Sequence, residues 1–149
     1  NRQKTPYMFR TMAQAGKIIN VTAYRVIYGD TDQMGVVYYA NYLRWFEKGR
    51  SEFLRQIGQP YATIEQRGFH FPVIEVTCRY ANSARYDDDI RIETELTELG
   101  RASLSFAYRI SREANDDLLA TGATKHACID HAGKVTRIPR TLLDALEAM

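Results

Sequence analysis

Little in this chain points to a metal, a disulfide framework or a membrane. Only two cysteines occur, Cys78 and Cys128, and they are not joined in a C-x-x-C pair. That argues against a disulfide framework or a zinc site and makes a reducing cytoplasm the default compartment. Both thiols are expected to face a core. His70, His126 and His131 lack metal-ligand spacing, and each is read as an ordinary polar residue. The net charge of +2 is too small to argue for nucleic acid or an anionic membrane. A few local Arg and Lys can still hold a small anionic ligand. No apolar run approaches the roughly 20 residues that span a bilayer. The segment from Asn1 to Ala15 lacks the apolar centre of a secretory signal. Internal repeats and low-complexity stretches are missing. So is βαβ alternation, which argues against a doubly wound sheet.

What is present is an ordinary globular composition, 45% apolar and 26% charged over 149 residues. One domain with a real core is the simplest organisation. Residues 1–20 are set apart as an N-terminal extension, polar and without clear period to about Gly16. The domain proper is placed at 21–149. Val21 to Tyr28 alternates β-branched and aromatic residues and predicts a strand. An acidic, glycine-punctuated loop follows from Gly29 to Gly35. From about Tyr38 to Ile57 the period becomes helical, with Leu43, Phe46, Gly49/Arg50, Phe53 and Ile57 at spacings of three and four. Trp45 and Leu54 widen that stripe. Gly58 and Pro60 stop the helix. Gly49 is expected to let another backbone approach.

Beyond a short helical turn at Tyr61 to Gly68, the period switches to two. Runs at Val73 to Tyr80, Ile90 to Thr97 and Ala102 to Ile110 read as half-buried strands. Leu118 to Ile129 is a fourth, less clean run, and Val135 to Ile138 extends the pairing. Short connections at Gly100-Arg101 and Asn115-Asp116-Asp117 imply antiparallel neighbours. Thr141 to Met149 reads as a terminal helix packing through Leu142, Leu143 and Leu146. The fold class is α+β. One helix covers one face of an antiparallel sheet, and the edges and other face are left to a partner chain. A homo-oligomer is expected.

The stretch Gly29-Asp30-Thr31-Asp32-Gln33-Met34-Gly35-Val36-Val37-Tyr38-Tyr39-Ala40-Asn41-Tyr42, with Trp45-Phe46-Glu47 behind it, resembles the 4-hydroxybenzoyl-CoA thioesterase family of hotdog-fold acyl-CoA thioesterases. The resemblance extends to Tyr80, to Ala84-Arg85-Tyr86-Asp87-Asp88 and to Arg137-Ile138-Pro139, and covers about Val21 to Leu146. It implies a hotdog fold, an antiparallel sheet wrapped around one long central helix. It also implies hydrolysis of a coenzyme A thioester. The family's catalytic acid falls on Asp32. The backbone N–H that meets the thioester carbonyl falls on Tyr39. The Tol–Pal-associated branch of acyl-CoA thioesterases, which this chain is similar to, carries His where Tyr39 stands. Coenzyme A would enter as part of the substrate, with no separate cofactor and no metal. Arg101, Lys134 and Arg137 match the regions that meet its phosphates, and Arg85 is a weaker candidate. The resemblance also implies hotdog dimers, commonly assembled into tetramers.

The chemistry suits these residues. A helix N-terminus offers unpaired N–H groups and a positive dipole end to a developing oxyanion. A carboxylate on the approach can attack the carbonyl or assist water. The same acids also suit a turn and a cap, and Asp30 is assigned that supporting role. Tyr38 and Tyr42 are taken as core, interface or pocket aromatics. Glu47, mid-helix, is expected as a buried partner for an arginine. A non-catalytic acyl-CoA-binding scaffold is the alternative function. A carrier-linked dehydratase is disfavoured because no His stands near the helix entry.

Overall fold

The structure, a computed structural model, describes residues 18–149; most of the predicted extension therefore lies outside the described residues. Five strands form one sheet: β1 (Ile19–Arg25), β2 (Val73–Tyr80), β3 (Asp89–Leu99), β4 (Ser103–Arg112) and β5 (Leu118–Ala127). Their order is β1-β3-β4-β5-β2, and every pairing is antiparallel. The long helix α1 (Asn41–Gln56) packs on this sheet, flanked by α2 (Tyr61–Gln66) and the terminal α3 (Arg140–Glu147). This is the hotdog arrangement. Among the described residues no helix is long and apolar enough to cross a membrane.

Period-two patterning put one face of each central strand inside. Ile90, Ile92, Thr94 and Leu96 of β3 are buried, as are Leu104, Phe106, Tyr108 and Ile110 of β4. Against them α1 presents Tyr42, Trp45, Phe46, Gly49, Phe53 and Leu54. Phe46 stacks on Tyr108 with ring centroids 4.4 Å apart and planes 10° from parallel. Phe53 meets Phe106 edge-on at 5.3 Å. Beneath Phe46, Gly122 leaves the space the ring occupies; a Cβ there would lie 2.5 Å from the ring carbons.

The structure corrects several expectations. α1 starts at Asn41, because Tyr38 to Ala40 are held in a turn and the Asn41 side-chain amide donates to the Asp30 carbonyl at 2.8 Å. Its inward stripe runs through Tyr42 rather than Leu43, which is 37% exposed. At Gly49 the close neighbours are side chains, not backbone: a Cβ would overlap Thr94 Oγ1 and fall 2.9 Å from Ile92 Cγ2. β1 ends at Arg25 because the Asp30 carboxylate accepts from the Ile27 N–H at 3.0 Å and closes a 3-10 turn over Tyr28–Asp30. Glu47 is exposed and forms no ion pair among the described residues, so it is not a buried arginine partner. Cys128 is buried and Cys78 half-buried, in keeping with core-facing thiols. Past β5 the chain pairs in isolated bridges, Ile129 with His70 and with Val135.

Two predictions follow from this packing. Replacing Gly49 by Ala gains about 1 kcal/mol of helix propensity, but overlap with Thr94 and Ile92 outweighs it. Gly49→Ala should lower the unfolding free energy by about 1–2 kcal/mol, read as a shifted urea midpoint. The second concerns His126, buried on β5. Burial, reinforced by the charge of Arg50, holds its imidazole down at about 4, from an ordinary 6.5. The unfolded chain therefore takes up a proton through pH 6.5 that the folded chain refuses until near 4. Stability should be intact above about pH 6.5 and fall by at most about 3 kcal/mol towards pH 4. Urea midpoints across that range check it, with His126→Gln flattening the slope.

Candidate active site

The acidic loop is built from the inside out by Asp30. Only 4% exposed, its carboxylate accepts from the Tyr24 hydroxyl at 2.7 Å and from the Ile27 N–H. Its carbonyl accepts from the Tyr38 N–H at 2.9 Å as well as from Asn41. Burial and this carboxylate push the Tyr24 phenol up to about 12. Asp30 thus ties β1, the loop and the start of α1 together, the supporting role predicted for it.

Asp32 sits one step further out, at the start of a tight turn. Its N–H donates to Val36 O at 2.9 Å, its carbonyl accepts from Gly35 N–H at 3.0 Å, and Oδ1 accepts from Met34 N–H at 2.9 Å. Gly35 adopts φ +77°, which a side chain resists, and a Cβ there would touch nothing; its role is the turn itself. The turn is clamped by the bridge between Thr31 and Val37 and by Val37 N–H donating to Ala84 O at 2.8 Å.

The cleft beside this turn encloses about 270 Å³, between Asp32, Val37, Tyr39, Tyr42, Tyr80 and Ser83, among others. Tyr39 is 63% exposed, and its carbonyl accepts from the Tyr80 hydroxyl at 2.8 Å. Its own N–H meets no acceptor among the described residues, and neither does that of Ala40. No side chain caps α1. The cleft is therefore lined by one carboxylate and by Tyr39, whose N–H is free just ahead of a helix N-terminus, a pairing suited to a carbonyl whose oxygen turns negative. Tyr42 is buried, as one of its alternatives had it, and its hydroxyl accepts from Ala84 N–H at 3.0 Å.

Sequence reasoning missed what fixes the opposite wall. Arg112 donates to Asp88 Oδ2 at 3.1 Å, to Asp117 Oδ2 at 3.0 Å and to the Ser83 carbonyl at 2.9 Å. That three-way fork pins the segment 81–88 to the end of β4. The only hint was an arginine followed closely by Asp116 and Asp117, which reads as a solvated turn. Tyr80, placed by its pattern at the end of a strand and included in the family resemblance, is the second wall residue that matters.

The three predicted phosphate contacts lie elsewhere. Arg101, Lys134 and Arg137 are all exposed. Arg101 and Arg137 come close, since Ile138 N–H donates to Arg101 O at 2.8 Å. Arg101 follows the far end of the 11-residue strand β3, whose near end adjoins the 81–88 segment. That is roughly 33 Å of strand, so a single chain does not bring these cations to Asp32. Arg85 stands on the cleft side but exposed. Among the described residues no group of three or more His, Cys, Asp and Glu is arranged to hold a metal ion.

A five-stranded antiparallel sheet packed against one long helix defines the hotdog class of proteins. The chain belongs to the thioesterase-like superfamily, whose profile matches residues 26–146. It is 36% identical over 123 residues to a putative esterase of Aquifex aeolicus, spanning 83% of this chain and 94% of that one. It is 38% identical over 107 residues to the acyl-CoA thioesterase YbgC of Haemophilus influenzae, spanning 71% and 77% respectively. Among solved structures, the DHNA-CoA thioesterase of Staphylococcus aureus superposes with a TM-score of 0.82 at 31% identity, covering 87% of each chain.

Asp30→Ala should strand the Tyr24 hydroxyl and the Ile27 N–H. A loss of roughly 2–4 kcal/mol in unfolding free energy is expected, measured by chemical denaturation. Tyr24→Phe, which removes only one donor, should cost about 1 kcal/mol.

Proposed function

We propose that this protein is an acyl-CoA thioesterase in which Asp32 and the backbone N–H of Tyr39 act on the thioester carbonyl. The observation that carries the proposal is that both line one cleft: an acid held in a tight turn, and the residue just ahead of a helix whose N-terminus no side chain caps. Thioesterase relatives at more than 30% identity supply the reaction class. The carbonyl oxygen accepts from Tyr39 N–H as it becomes an oxyanion. Asp32 then either takes the proton from an attacking water or attacks the carbonyl itself, giving an anhydride that water opens. In both routes the C–S bond breaks, and coenzyme A leaves as the thiol after gaining a proton. The products are a free acid and coenzyme A. Neither route calls on a metal or a further cofactor. A coenzyme A substrate and two unpaired cysteines suit a reducing cytoplasm.

The working unit is a homo-oligomer built on a dimer, with a tetramer as the expected assembly. β2 is an edge strand, paired only to β5, yet it exposes Val73, Ile74, Val76 and Tyr80 at 43–57%. Such an edge is a template for another strand, and antiparallel pairing with β2 of a second copy satisfies it by two-fold symmetry. That pairing reverses the strand ends. It carries the partner's Arg101, Lys134 and Arg137 to the side of the sheet where Asp32 lies, three or four strand spacings away, roughly 15–20 Å. We assign them to the coenzyme A phosphates on that basis.

Asp32→Asn should keep coenzyme A thioester binding within a few-fold and lower kcat by about 100-fold or more. A thiol-release assay across short, long and aromatic acyl-CoAs, with calorimetric binding alongside, checks both. Unchanged turnover would remove Asp32 from the mechanism. Binding with no release by the unmodified protein would establish the non-catalytic scaffold instead.

A further inference from the structure

Among the described residues, two backbone donors beside the Asp32 cleft meet no acceptor, the N–H groups of Tyr39 and Ala40. An N–H points where its peptide plane points, so whatever fixes the planes fixes the donors. Three consecutive planes lead into α1. The first ends in the Tyr38 N–H, which donates to the Asp30 carbonyl at 2.9 Å. The second carries the free Tyr39 N–H together with the Tyr38 carbonyl, which accepts from Asn41 N–H at 2.9 Å. The third carries the free Ala40 N–H together with the Tyr39 carbonyl. Within the turn that carbonyl receives only the Tyr42 N–H, at a long 3.4 Å. Its short bond comes from outside: the Tyr80 hydroxyl donates to it at 2.8 Å, from 41 residues away in sequence.

Tyr80 makes that bond from a firm base. It is the last residue of β2, paired with Ala120 of β5, and the next residue continues the hold, Ala81 N–H donating to Leu119 O at 2.8 Å. Its ring stands edge-on to Tyr42 at 5.1 Å and edge-on to Tyr39 at 6.4 Å. A tyrosine hydroxyl has one hydrogen to give. A carbonyl can only accept, so that hydrogen is spent on Tyr39. While this bond stands, Tyr80 has nothing to donate to a thioester oxygen. Its route to the reaction runs through the Tyr39 backbone.

We propose that Tyr80 is a positioning residue for thioester hydrolysis: its hydroxyl locks the Tyr39–Ala40 peptide and so keeps the Tyr39 N–H aimed at the developing oxyanion. This rests on the thioesterase reading above. The Tyr39 Cα is the hinge between the second and third planes. With the third plane loose, the second is held only by the Asn41 N–H. A donor fixed beforehand is worth most to an oxyanion, because nothing has to reorganise as the charge develops.

The test uses Tyr80→Phe, which removes the hydroxyl and keeps both ring contacts. First, kcat is measured by thiol release from acetyl-, octanoyl- and benzoyl-CoA. Losing an oxyanion donor outright costs about 100-fold or more, so a loosened one should cost about 10- to 100-fold. Second, calorimetry measures binding of the same thioesters to Asp32→Asn with and without Tyr80→Phe. A kcat loss of that size with binding kept within about threefold supports positioning. Unchanged kcat overturns it, and so does a loss confined to binding, which would put Tyr80 on the substrate itself. Third, ¹⁵N relaxation is measured on the ligand-free protein. Order parameters for Tyr39 and Ala40 of about 0.85 in the native protein, falling towards about 0.6 in Tyr80→Phe, support the lock; equal values overturn it. Should the native protein release thiol from no acyl-CoA, the hydrolase reading fails by itself, while the order parameters still decide whether Tyr80 holds this peptide.

Discussion

The seating of α1 on β3 at Gly49 is the contact on which the rest depends. With only a hydrogen at that position, Thr94 and Ile92 come right up to the helix axis. The Phe46–Tyr108 stack and the Phe53–Phe106 pair then fall into register on either side. A helix held this close cannot slide along the sheet, so its N-terminus has a fixed address. Everything at the cleft is measured from that address. Dense packing turns a small-residue choice in the core into precision at the site.

Asp30 converts that address into a working loop. One buried carboxylate and its own carbonyl receive four donors from β1, the loop and α1. Asp32, two residues on, is left with a single backbone donor on its carboxylate, from Met34. The division is physical: an acid saturated with hydrogen bonds serves as a fastener, while one with free oxygens can meet a substrate. Arg112 does for the opposite wall what Asp30 does for this one, using a planar fork that a lysine would not reproduce.

The sheet leaves two things undone. Its β2 edge exposes apolar side chains, and its exposed cations lie a strand's length from the acid. The proposed pairing with a second copy at that edge would resolve both.

Much of this was legible in the chain itself. Period two and period 3.6 fixed the strands, the long helix and the antiparallel connections, because local patterning reports which face is buried. The acidic loop with its aromatics drew attention to Asp30, Asp32 and Tyr39, and the supporting role expected of Asp30 is the one its hydrogen bonds display. Other features needed three dimensions. Helix phase, Tyr42 inward and Leu43 outward, depended on Asn41 being captured by Asp30. Glu47 lost its predicted buried role because the helix turned that face away from the sheet. Arg112 was invisible, since its three acceptors lie 5 to 29 residues away in sequence. The hydrogen bonds from His126 to Thr124 along β5, and from Thr124 across to Tyr108 on β4, join residues that the chain keeps 16 positions apart in the second case. Sequence by itself determined which segments are elements, for those follow from local spacing. Tertiary structure alone decided which residues meet, because long-range contacts leave no periodic trace in the chain.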